Sequence, residues 1–188
     1  MSNSSINYAL CKSLHHLQQI KALQTENLKG FLSKIEQEKE GFVTAEYSLK
    51  LLEEMHHQNP AIIATQNGKL VGYALVITRR FLGNHALLDD LIQNIDSLEY
   101  NGKKLQQVSY VVVGQLCVAK AVRGQGLGQG LYKHFKVCYG DSYLYCITDV
   151  DKNNPRSLKT HLAVGFNVIG NLSYGGAQWD IVLWDWNA

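Results

Sequence analysis

The stretch Leu116-Cys-Val-Ala-Lys-Ala-Val-Arg-Gly-Gln-Gly-Leu-Gly-Gln-Gly-Leu-Tyr-Lys-His-Phe135 decides the fold. On its N-terminal side, Val108 to Val118 is almost continuously apolar, as expected of a strand buried on both faces. On its C-terminal side, the apolar spacing from about Gly128 to Tyr139 predicts an amphipathic helix. Glycines stand between them at 124, 126, 128 and 130. Glycine lets a backbone approach a ligand closely, and a helix start offers unpaired N–H groups at the positive end of its dipole. Strand, glycine-rich turn and helix in that order make a cradle for phosphate or pyrophosphate, with Arg123 as a cation beside it. The pattern G-x-x-x-x-G-K-[ST] fails, because Gln129 stands five residues after Gly124 and Leu131 five after Gly126. The dinucleotide pattern G-x-G-x-x-G fails from either start.

Working outward, residues 6–12 alternate weakly and read as a first strand. The spacing of Leu14, Leu17, Ile20, Leu23, Leu28, Phe31 and Leu32 predicts an amphipathic helix from Ser13 to about Leu32, broken near Gly30. Thr44 is placed to cap a second helix running to about His57, which Asn59-Pro60 ends. Residues 61–65 and 70–77 read as a hairpin turned at Asn67-Gly68. Residues 82–105 are less regular, with a short helix over Leu87–Ile95 and a turn at Asn101-Gly102. Beyond the glycine-rich segment come a strand at Tyr143–Thr148, a short helix opened by Asn154-Pro155, and strands at Phe166–Leu172 and Gln178–Trp186. The order βααββ(α)βαβαββ describes one α+β domain over residues 1–188 with a mixed sheet.

Of the 188 residues, 46% are hydrophobic and 18% charged, which excludes intrinsic disorder. A net charge of +2, from 18 basic against 16 acidic residues, leaves no electrostatic footprint for nucleic acid or an acidic membrane. No apolar run approaches the roughly 18 residues of a spanning helix, and the N-terminus lacks the basic and apolar segments of a secretory leader. Cys11, Cys117, Cys138 and Cys146 form no C-x-x-C and stand in no metal-ligand order. They read as reduced thiols in a cytoplasmic protein, with no metal site expected.

Two motifs carry a resemblance. Arg123-Gly-Gln-Gly-Leu-Gly128 fits R-x-x-G-x-G between strand and helix, and Asn154-Pro-Arg-Ser-Leu-Lys-Thr-His-Leu-Ala-Val-Gly-Phe166 runs from a helix start to a Gly-Phe before a strand. They resemble motif A (residues 116–135) and motif B (154–166) of the GNAT (Gcn5-related N-acetyltransferase) superfamily. The likeness extends over residues 42–186, while the first forty match only in element order. It implies a single GNAT-like domain, with a mixed, mostly antiparallel central sheet flanked by helices. It also implies acetyl-CoA as cofactor and an N-acetyltransferase moving acetyl to a primary amine by direct attack in a ternary complex. Main-chain N–H groups of Arg123, Gly124, Gln125, Gly126, Leu127, Gly128 and Gln129 would then bind the pyrophosphate. The strand edge at Leu116, Cys117 and Val118 would pair with the pantetheine arm, one of its N–H groups polarising the thioester carbonyl. In motif B, Asn154 would meet the pantetheine amide, with Ser157 beside it.

Two positions depart from the family pattern. Seven residues after Asn154, where the family often carries a tyrosine to protonate the leaving thiolate, stands His161, which can also donate a proton. On the motif A strand, where a carboxylate often activates the amine, stand Gly114 and Gln115, which cannot ionise. These departures keep a catalytically silent CoA-binding sensor open as an alternative, beside an acyltransferase acting on a protein amine or carrying a longer acyl chain. Within the strand, Cys117 reads as a small core residue. The acidic residues Asp89, Asp90, Asp96 and Glu99 read as a wet face and a weak candidate for a cationic acceptor. The acceptor pocket is expected from residues 24–46, 79–105 and 173–178. A small-molecule amine is the expected partner, and a homodimer through the last hairpin stays open.

Overall fold

The computed structural model describes residues 5–187. In chain order its elements are β1 (Asn7–Leu10), α1 (Leu14–Glu26), α2 (Lys34–Glu40), α3 (Leu49–Gln58), β2 (Ile62–Gln66), β3 (Lys69–Ile77) and α4 (Ala86–Ser97). The short strands β4 (Glu99–Tyr100) and β5 (Lys103–Lys104) follow, then β6 (Tyr110–Val118), α5 (Leu127–Tyr139), β7 (Tyr145–Asp151), α6 (Pro155–Val164), β8 (Asn167–Tyr174) and β9 (Ala177–Asp185). Seven strands form one sheet in the order β1-β2-β3-β6-β7-β9-β8. Every neighbouring pair is antiparallel except β6 with β7. This is the mixed, mostly antiparallel α+β sheet that the sequence predicts.

Helices α1, α3, α4, α5 and α6 cover the two faces because each carries one apolar stripe. Leu17, Ile20 and Leu23 of α1, Leu52 and Met55 of α3, and Leu88, Leu91, Ile92 and Ile95 of α4 bury against one face. Leu131, Tyr132 and Phe135 of α5 bury against the other, with Leu158 and Val164 of α6 beside them. The β2–β3 hairpin turns at Asn67-Gly68, with φ of 52° and 76°, as a two-residue turn matching the strand twist requires.

One irregularity in β6 sets up the site. Leu75 faces Gln115 and Val76 faces Val113, so Gly114 is an extra, unpaired residue. Since side chains alternate between faces, one inserted residue reverses the parity. Tyr110 and Val112 before the bulge pack on the α1 face, and so does Cys117 after it. Val111 and Val113, then Leu116 and Val118, pack on the α5 face. A β carbon at Gly114 would lie 2.5 Å from Ile77 Cγ1. Gly114→Ala is therefore expected to cost about 1–3 kcal/mol by overpacking, read by denaturant unfolding. Shortening the neighbour in Gly114→Ala/Ile77→Ala should recover part of that cost relative to Ile77→Ala alone, and additive losses would refute the steric account.

The N-terminal region departs from the sequence reading. The first helix ends at Glu26, because Leu28 pairs in parallel with Val43 through Lys29 N–H to Val43 O at 2.9 Å and Val43 N–H to Asn27 O at 2.9 Å. Residues beyond the break form α2, started by a capping box in which Ser33 Oγ accepts from Glu36 N–H and the Glu36 carboxylate accepts from Ser33 N–H. The next helix is capped by Ser48 rather than Thr44, since residues 44–47 stay extended along the site.

Candidate active site

The parallel strands β6 and β7 pair only over Tyr110–Val112 against Tyr145–Ile147. At the next position the Thr148 hydroxyl donates to Val113 O at 2.7 Å, in place of a main-chain bond. Beyond it the strands part: β6 stays with β3 and β7 with β9, so their facing edges have no strand partner among the described residues. The split opens a cleft of about 610 Å³. Leu116, Cys117, Val118 and the 123–129 turn, Gln125 excepted, line one side, and Asn154, Ser157, Thr160 and His161 the other.

The turn has the geometry of an anion cradle. Gly124 and Gly126 hold φ of 78° and 79°, which favour glycine over any L side chain. Among the described residues, the main-chain N–H groups of Gly124, Gln125, Gly126, Leu127, Gly128 and Gln129 donate to no protein acceptor, and the first helical bond is Gly130 N–H to Gly126 O at 3.0 Å. A run of free amides ending in a helix N-terminus fits a diphosphate.

Arg123 does not take the place expected of it. Its Nε donates to Val118 O at 2.9 Å, one terminal nitrogen donates to Glu40 O at 2.9 Å and contacts the Glu40 carboxylate at 3.3 Å, and the other donates to Asn27 Oδ1. Every arm of the guanidinium is spent within the protein, and its own N–H donates to Lys120 O at 3.4 Å. The residue clamps the turn to the end of α1 and to α2, rather than presenting a free cation to a phosphate.

In motif B, Asn154 caps α6 by accepting from Ser157 N–H at 3.2 Å, while its Nδ2 donates to Phe42 O at 3.0 Å. It thereby ties the extended 41–43 segment to the cleft. His161 is buried, being only 5% exposed. Its Nδ1 lies 2.7 Å from Ser157 O and its Nε2 2.6 Å from the Tyr132 hydroxyl. A carbonyl can only accept, so Nδ1 carries the proton and Nε2 accepts from Tyr132. Burial lowers the ring from 6.5 to about 4, so His161 is neutral with both nitrogens engaged. That state holds no proton for a leaving group, contrary to the role expected at this position.

Gln115 is committed as well: it accepts from Gln24 Nε2 at 2.9 Å and the Tyr73 hydroxyl at 2.6 Å, and donates to Ala45 O at 2.8 Å. Cys117 is 4% exposed, and burial pushes its thiol up to about 12, where it is no nucleophile. In the 79–105 segment, Asp96 holds Arg79 through both carboxylate oxygens and accepts from the Tyr110 hydroxyl, a structural pair rather than an acceptor site.

A residue with no local sequence signal completes the site. Asp149 lies on β7 just past the point of divergence and lines a second, smaller cavity of about 80 Å³. This cavity shares Phe42, Val43, Leu116, Asn154, Ser157 and His161 with the larger cleft. Apart from its own main-chain N–H, no group among the described residues donates to the Asp149 carboxylate; burial raises it from 3.8 to about 6, helped by the charges of Asp151 and Asp90. Tyr47, whose hydroxyl donates to Gly114 O at 3.2 Å, Leu87, Leu88 and Leu91 of α4, Tyr132 and Trp179 line the same cavity. Segments 24–46 and 79–105 both contribute to its lining, whereas the 173–178 turn does not.

His161 and Asp149 impose opposite pH dependences. The unfolded chain protonates His161 near 6.5 and the folded chain only near 4, so stability is lost as pH falls through that window. In an Asp149→Asn background, where the opposing carboxylate titration is gone, the denaturant midpoint is expected to drop from pH 6.5 to 4. Adding His161→Gln should flatten that slope, and an unchanged slope would show that His161 is not the titrating group.

A sequence profile of the acetyltransferase (GNAT) family matches residues 26–166. The chain belongs to this family. No curated protein sequence matches the chain significantly. Solved structures with the same fold include a GNAT-family acetyltransferase from Streptococcus agalactiae, with TM-score 0.66 and 16% identity over 96% of this chain and 95% of that one. The ribosomal-protein-S18-alanine N-acetyltransferase of Escherichia coli superposes with TM-score 0.63 and 12% identity, over 96% and 94% of the two chains. The Salmonella typhimurium protein yncA, solved with its cofactor acetyl-CoA, gives 0.63 and 13% over 98% and 95%. At such identities the likeness is one of fold. No helix of this GNAT protein is long and apolar enough to cross a membrane among the described residues.

Proposed function

We propose that this chain transfers the acetyl group of acetyl-CoA to a primary amine by direct attack within a ternary complex. The observation that carries this reading is the split sheet ending in a row of unpaired amides from Gly124 to Gln129. The cleft is large enough for an extended cofactor, and the family membership supports the acyl transfer. The likeness to a protein solved with acetyl-CoA supports that cosubstrate.

Acetyl-CoA supplies an acyl thioester with a good leaving group. The 124–129 amides hold its diphosphate, and the unpaired edge of Leu116–Val118 orients the pantetheine arm. A fixed N–H of that edge polarises the thioester carbonyl; removing one such donor from an active site typically costs about 3 kcal/mol of barrier lowering. Asp149, ionised above about pH 6 and without another side-chain donor, accepts the amine proton directly or through one water. His161 is a positioning residue that fixes the Tyr132 hydroxyl through Nε2. Proton delivery to the thiolate falls to water in the open cleft.

The test is to follow free thiol while the protein is incubated with acetyl-CoA and a panel of amines. Thiol release that requires both protein and amine is expected. Tight binding of acetyl-CoA with no amine-dependent release would identify a sensor instead.

A further inference from the structure

We propose that the acceptor is a short alkylamine whose amine-bearing carbon carries no carboxylate, selected by the smaller cavity at the inner end of the sheet split. The inference rests on the transferase reading above. A cavity of about 150 Å³ takes a benzene, so one of about 80 Å³ takes a stem of roughly three or four carbons. Leu87, Leu88 and Leu91 from α4, with Phe42 and Trp179, supply the apolar side of a lining that is otherwise polar.

The polar part of the wall is one-signed. Two carboxylates line it: Asp151 is neutralised by Lys29 at 2.8 Å, and Asp149 has no cation at hydrogen-bond distance among the described residues. Among the described residues no lysine or arginine lines the cavity. Behind it, the Asp90 Oδ2 is buried without a partner, adding negative field. Three of the hydroxyl donors around the cavity are already spent, Tyr47 on Gly114 O, Thr148 on Val113 O and Tyr132 on His161, which leaves only the neutral hydroxyls of Thr44 and Ser157. The amide donor of Gln115 goes to Ala45 O. An ammonium entering here meets an unpaired carboxylate, whereas a carboxylate two bonds from the amine meets like charge at close range with no cation to receive it. Free amino acids are thus rejected by charge, and larger amines by the shape of the wall.

The experiment compares isobutylamine, valinamide and valine, which share a stem and differ at one substituent, in the acetyl-CoA thiol-release assay at pH 8. The expected kcat/KM falls by at least about 30-fold from isobutylamine to valine, as unpaired like charges in a partly dry site require. Valinamide should stay within about fivefold of isobutylamine, because the amide removes the charge and keeps the bulk. Leu87→Arg, at a half-buried edge of the cavity, should raise the valine-to-isobutylamine ratio at least about tenfold by supplying the missing cation. Valine used as well as isobutylamine, or use only of an amine borne on a peptide such as valylglycine, would overturn the proposal. If no amine releases thiol, the transferase reading fails, and the cavity is scored by the thermal shift of the CoA-bound protein. There, a shift with isobutylamine and none with valine sustains the cavity's selection of a carboxylate-free amine as a ligand; equal shifts, or none with isobutylamine, refute it.

Discussion

Replacing Asp149 by Asn is expected to lower kcat/KM for amine acetylation by about 10²- to 10⁴-fold, while acetyl-CoA affinity, measured by calorimetry, stays within about twofold. Asp149 lines the inner cavity and not the cleft lined by the glycine-rich turn, so the loss is expected on the amine side of the reaction. The wild-type rate should rise with pH through about 6 as the carboxylate ionises, and that limb should vanish in the variant. The same substitution is expected to stabilise the fold near neutral pH. The folded chain holds the Asp149 proton up to about 6 while the unfolded chain releases it at 3.8, so folding becomes less favourable as pH rises through that window. The substituted side-chain amide has no charge to desolvate, and the gain should be about 1–2 kcal/mol above pH 6 and absent below pH 4. An unchanged kcat/KM would remove Asp149 from the chemistry whatever the stability showed.

Replacing Arg123 by Ala is expected to be the most destabilising change among the motif residues. Its side chain is only 11% exposed and joins Val118 O, Glu40 and Asn27 at once. Removing one partner of such a group leaves carbonyls and a carboxylate without a donor, at a cost of about 3 kcal/mol, the low end for buried pairs because Glu40 is 30% exposed. For a chain of this length the melting temperature should fall by roughly 6–12 °C. Acetyl-CoA affinity should fall with it, since the clamp holds the turn whose free amides are proposed to bind the diphosphate. Arg123→Lys should recover little, because one ammonium cannot span three separated acceptors. A variant that loses affinity but keeps its melting temperature would mean that the guanidinium meets the phosphate after all.

What could be read from the sequence was whatever is encoded within one element or turn. Asn67-Gly68 announces a hairpin, Asn154-Pro155 a capped helix start, and the 116–135 run a strand, a turn and a helix, because φ preferences and apolar spacing act over a few residues. The capping box Ser33-Lys-Ile-Glu36 is equally local, yet the apolar spacing that runs on to Leu32 masks it. The end of α1 is not local at all: it depends on Val43 pairing with Leu28 across the chain.

The same division runs through the site. Local sequence determined where a row of free amides stands, since they follow from glycines at a helix start. The roles of the charged and titratable groups were decided by tertiary structure. Arg123 became a clamp because Asn27 and Glu40 lie 96 and 83 positions away and reach it only in the fold. His161 became a neutral spacer because α5 brings Tyr132 to its Nε2. Asp149 became a candidate base because β6 and β7 part at Thr148 and leave its carboxylate in a cavity. Backbone shape is set by neighbours along the chain, while desolvation and charge depend on which distant segments arrive.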